Sequence, residues 1–108
     1  MSLKLAVEGA VLAERRAVVY GQVWLADLAM AQEAFQRAES LLEQALPVLE
    51  KYQDQRCLAL CRKSYALLEQ ARGNPQLCRT WAKQALEGFE RLGMEQEAVE
   101  TKQLITSC

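Results

Sequence analysis

The sequence predicts an all-α protein built from antiparallel helix pairs, six helices in all. Three observations predict it. Ala, Leu, Glu, Gln and Arg dominate the composition, and these are the strong helix formers. Gly numbers 5 and Pro 2, too few for the tight turns of a sandwich or barrel. Sliding the chain by 40 residues aligns Gln22–Tyr52 with Arg62–Leu92 without a gap. Identical pairs include Ala26/Ala66, Leu28/Leu68, Ala31/Ala71, Ala45/Ala85, Leu46/Leu86 and Glu50/Glu90, and Leu25/Tyr65 is conservative.

The elements follow in order. A flanking helix is expected over 3–14, where Leu5, Ala6, Val7 and Glu8-Gly9 echo Ala85, Leu86, Glu87 and Gly88. It reads as the tail of a preceding second helix. The next helix is expected over 17–32. Its end at Glu33-Ala34 lacks turn residues, so either a tight joint or one long helix is compatible with it. The stripe Leu41, Leu42, Ala45, Leu46 and Leu49 predicts a helix over 35–51, with Pro47 expected to kink it. Asp54 is the N-cap of a helix over 55–72, striped by Leu58, Cys61, Tyr65 and Leu68. Gly73-Asn74-Pro75 supplies a left-handed stop, an N-cap and a first-position proline. It opens a helix over 75–92, with Leu77, Trp81, Leu86 and Phe89 on one face. Gly93 ends that helix, and a last one follows over 95–106 as a cap or the start of a third pair. The chain reads as a single domain: flank 3–16, first repeat 17–54, second repeat 55–94, and a partial repeat 95–108.

Charge and chemistry narrow the function classes. The formal net charge is −1, so neither a nucleic-acid backbone nor an anionic membrane is an expected partner. No run of apolar residues is long enough to predict a membrane span, and the N-terminus lacks a signal-peptide layout. Cytoplasmic residence with reduced cysteines is the expectation. Histidine is absent, and with it the commonest general base and metal ligand. No Ser, Thr or Cys therefore has a His to activate it, and there is no Gly-rich phosphate loop. An enzyme is not expected, nor is a cofactor. Cys57 and Cys61, four apart, could meet Cys78 from the partner helix at a metal. They lack a fourth ligand, and core packing is the favoured reading. Glu39/Glu43 and Glu97/Glu100 read as solvated faces, Arg15-Arg16 as a surface pair, and Trp24 and Trp81 as packing aromatics.

A helix pair of about 40 residues with small residues where helices cross resembles the tetratricopeptide repeat family. Ala26 and Ala66 stand where its first helix passes the second, Ala38 and Cys78 where the second packs back, and Ala45 and Ala85 further along it. Gly73-Asn74 matches the family's turn. Gln22 and Arg62 replace its usual aromatic, Ala29 and Glu69 its tyrosine, and Glu50 and Glu90 its proline. The long second helices look like the variant arrays of bacterial signalling and regulatory proteins.

The resemblance implies a short right-handed solenoid with a concave groove lined by first helices. The outward positions map to Tyr20, Val23, Asp27 and Met30, then Leu60, Lys63, Leu67 and Gln70. A protein partner supplying a peptide or helix is the implied ligand. Lys63 matches a lysine with which one subgroup grips a C-terminal carboxylate, but Leu67 replaces the asparagine of that clamp. Two pairs with two flanks barely bury the faces of such an array. A piece of a longer array, or a subunit that self-associates, fits that shortage. Self-association and a small-ligand sensor are the alternatives to groove binding.

Overall fold

The computed structural model describes residues 3–108, with side chains described at Glu14 and from Ala17 onward. The side chains behind the echo at Leu5, Ala6, Val7 and Glu8, and those of Arg15 and Arg16, lie outside the described residues. Among the described residues there are five helices: α1 Leu3–Ala31, α2 Phe35–Tyr52, α3 Gln55–Ala71, α4 Pro75–Leu92 and α5 Glu95–Ser107. Among the described residues there is no strand.

The count corrects the expected six. The helices expected over 3–14 and 17–32 are one continuous helix. Glu14, Arg15, Arg16 and Ala17 at the expected break include no Gly or Pro, and all favour helix. The doubtful joint at Glu33-Ala34 is a true turn: Glu33 takes φ 62° and ends α1. Pro47 lies inside α2 without ending it.

The four turns share one design. Glu33, Gln53, Gly73 and Gly93 all have positive φ and recur every 20 residues. After each, the backbone N–H of the next residue reaches back five positions: Ala34 to Ala29, Asp54 to Leu49, Asn74 to Glu69 and Met94 to Phe89. This is the Schellman arrangement, which satisfies carbonyls that a helix end leaves over. Asp54 caps α3 as expected, accepting from the Cys57 N–H at 3.3 Å. Asn74 does not cap α4 through its side chain; its Nδ2 instead donates to Glu69 Oε2 at 2.7 Å.

Each helix packs on its chain neighbours, and α1 also touches α3. The small residues at the expected crossings, Ala26, Ala66, Ala38, Cys78, Ala45 and Ala85, are all fully buried. The 40-residue period extends to burial, for 41–50 and 81–90 alternate between core and solvent in the same order. At Gly88 the helices approach closely, since a Cβ there would lie 3.1 Å from the Ala59 Cβ.

α3 is the central element and has two apolar faces. Cys57, Leu58, Cys61, Tyr65 and Leu68 join a core with α1 and α2, while Ala59 and Ala66 pack with α4 residues. Trp81 packs as expected, its ring stacked on Tyr65 with centroids 4.5 Å apart. Cys78 in α4 is disulfide-bonded to Cys108, their Cα atoms 6.2 Å apart. The expectation of four reduced cysteines is corrected there, because α5 runs back along α4 and brings Cys108, the residue just after its end, beside α4's first turn. Cys57 and Cys61 are buried thiols.

Candidate functional site

The positions assigned to a groove lie on α1 and α3, as expected, but several are already engaged. Val23 is buried in the core, and Met30 is packed against it. Asp27 accepts from the Ser64 hydroxyl of α3 at 2.6 Å. Lys63 Nζ donates to Glu100 Oε2 of α5 at 2.6 Å. Leu60 and Leu67 are half-buried against the two α4 clusters, and Tyr20 and Gln70 are exposed. The face is thus sewn together from α1 to α3 and from α3 to α5 by polar bonds across it.

Its electrostatics follow. Burial pushes the Asp27 carboxyl up from its ordinary value, against the Ser64 hydrogen bond and the Lys63 ammonium. The Lys63 hydrogen bond, then its charge, holds Glu100 down. Glu100 is therefore not the plain solvated carboxylate the sequence suggested. At the α2–α3 end, Arg72 bonds Glu39 and lies 3.7 Å from Glu69. The Glu39 hydrogen bond, ahead of nearby charges, raises the guanidinium further. Glu39 is in this way also paired rather than simply solvated.

A second surface lies on the outside of α1, at the end of the molecule away from α5. Val18 is 57% exposed, Trp24 66%, Leu25 39% and Leu28 43%. The partners of these residues at a spacing of 40 are Leu58, Ser64, Tyr65 and Leu68, which are 5%, 3%, 9% and 0% exposed. In α3 this face lies in the core shared with α2; in α1 it lies open. Trp24 is here corrected from packing aromatic to surface aromatic. The repeat alignment already contained the signal, through Leu25/Tyr65 and Leu28/Leu68. It did not carry which of the two matching faces is covered: among the described residues α2 covers that of α3, and none covers that of α1.

Between Ala17 and Gln32 the one charged residue is Asp27. Gly21 lies within the same stripe, and a Cβ there would meet nothing within 4 Å. The opposite end of the molecule differs. The outer side of α5 carries Val99 beside Lys102 and Thr106, next to a hollow of about 380 Å³ against Phe89 and Met94.

The chain matches no protein-family model, no curated protein and no solved structure. The site must therefore be read from its own chemistry. Among the described residues no three Cys, Asp or Glu side chains converge as metal ligands. The Cys61 thiol is pushed up to about 12, by burial first and then by Cys57, so it is a poor nucleophile. Burial, then the charges of Cys61 and the α2 glutamates, also pushes the Tyr65 phenol up to about 12. Among the described residues no helix is long and apolar enough to cross a membrane. What the outer face of α1 offers is a neutral apolar ridge with an exposed tryptophan.

Proposed function

We propose that this chain is a non-catalytic protein–protein interaction module, a short right-handed solenoid of tetratricopeptide type. It receives an amphipathic helix on the outer face of α1. One observation carries the reading: Val18, Leu25 and Leu28 lie open at positions where Leu58, Tyr65 and Leu68 are buried in the core shared with α2. An apolar helix face left without a partner exposes surface worth roughly 25 cal/mol per Å² on burial. The α2 helix shows the kind of ligand such a face accepts, with buried residues at Ala38, Leu42, Ala45 and Leu49. An exposed tryptophan at the centre supplies the aromatic anchor common in binding hot spots.

The groove of Tyr20, Val23, Asp27, Met30, Leu60, Lys63, Leu67 and Gln70 is less favoured as the docking surface. A ligand there would compete with the Lys63–Glu100 and Asp27–Ser64 bonds. The reading is tested on the Trp81→Phe protein, in which Trp24 alone reports. At protein concentrations low enough to hold single chains, it is titrated with a synthetic peptide of residues 35–52. A saturable blue shift of Trp24 emission is expected, lost in Leu28→Glu and kept in Leu67→Glu. A shift that never saturates, or that Leu67→Glu abolishes instead, would overturn the α1 site.

A further inference from the structure

Resting on the reading of the α1 face as a helix-docking surface, we infer that its occupant is the same face of a second copy, giving a two-fold symmetric dimer. Three observations choose this occupant. The stripe Val18, Gly21, Trp24, Leu25 and Leu28 carries no charge, and Asp27 is bonded to Ser64. Opposing the stripe to itself brings no like charges together, whereas it offers a foreign partner no ion to steer or orient it.

The stripe is also self-complementary in shape when two α1 helices run antiparallel. With the two-fold axis level with Val23, Val18 of one copy meets Leu28 of the other. Each Leu25 then faces the second copy's Gly21, where the missing side chain leaves room. Finally, the two ends of the molecule differ. The outer side of α5 mixes Val99 with Lys102 and Thr106, so it does not match the apolar α1 face. A closed pair is therefore favoured over a head-to-tail fibre. From Val18 to Leu28 the stripe runs about 15 Å at 1.5 Å per residue. That is small beside a standard interface, so the pair is a weak one that forms as concentration rises.

The test is sedimentation equilibrium of the intact chain from sub-micromolar to sub-millimolar concentration. The mass is expected to double from 12.2 kDa as concentration rises. Val18→Lys alone and Leu28→Glu alone should each stay single while keeping the wild-type helical signal. Mixing those two chains should restore a pair, because the introduced ammonium and carboxylate then face each other across the two-fold. Val99→Glu, at the other end, should dimerise like wild type. A wild-type chain that stays single throughout, yet still shows the Trp24 shift with the 35–52 peptide, overturns the second copy and leaves the docking face to another protein's helix. A chain that does neither overturns both readings. Doubling that survives Leu28→Glu, or that Val99→Glu abolishes, also overturns the α1 pairing.

Discussion

Asp27 shows how one side chain can cost stability and still hold two helices together. It is a carboxylate in a site that penalises its charge, so burial raises its affinity for a proton. A raised carboxyl value means the folded chain binds the proton more tightly than the unfolded chain. The resulting deficit is therefore present at neutral pH. It fades as pH falls through the raised value toward the ordinary carboxylate range. Asp27→Asn removes the charge but keeps an oxygen to accept from Ser64. It should melt at a higher temperature than wild type at neutral pH, and the gain should shrink in acid. An equal gain at all pH values would show that charge is not the cause. Cys61 shows the same effect of burial at alkaline pH. Its thiol, pushed up to about 12, stays protonated in the fold while an unfolded thiol ionises near 9.0. Both Cys57 and Cys61 are fully buried, so the native chain should resist alkylation at either until denaturant is added. Rapid labelling of either thiol without denaturant would mean that α3 opens readily.

The helices are set by turns more than by stripes. All four turns need a left-handed residue, yet only Gly73 and Gly93 supply glycine for it. Glu33 and Gln53 adopt the same φ with a Cβ, which costs roughly 1 kcal/mol against glycine. Gln53→Gly should raise stability by up to about 1 kcal/mol, and Gly73→Ala should lower it by a similar amount. Urea unfolding of the two variants reads both signs; a loss in Gln53→Gly would mean the Gln53 side chain holds the turn. This is also why the α1–α2 joint was poorly legible in the sequence. Glu33-Ala34 carries no turn residue, and the backbone pattern there is imposed by packing of Ala29, Ala34 and Ala38 in the core. The crossings, in contrast, were fully legible, because a helix crossing demands a small residue whatever surrounds it. Ala85, fully buried, tests that register. Ala85→Trp should overpack α3 against α4 and cost roughly 1–3 kcal/mol, with no effect on pairing through α1.

At the scale of the molecule, a repeat period read from sequence places what each helix face does but not what stands at the ends. The sequence marked one apolar stripe on α3, Leu58, Cys61, Tyr65 and Leu68, which is buried; the second face, at Ala59 and Ala66 toward α4, emerges only in the fold. In α1 the matching face lies exposed at Val18, Leu25 and Leu28, and on α5 the outer side mixes Val99 with Lys102. The other feature invisible to periodicity is the tie between Cys78 and Cys108. Two cysteines 30 residues apart give no spacing signal, and they meet only because α5 folds back along α4. That bond fixes an element otherwise held by Ala98, Thr101 and Leu104 in the core and by the Lys63–Glu100 pair. Closing a loop of this length removes unfolded-state entropy worth about 3 to 4 kcal/mol. Cys108→Ser should therefore lower the urea midpoint by that order, and dithiothreitol should lower the wild type to the same level. The variant itself should ignore the reductant. Because α5 lies at the far end from α1, neither treatment should alter pairing through Leu28. A wild type indifferent to dithiothreitol would mean that hydrophobic contacts alone hold α5 in place.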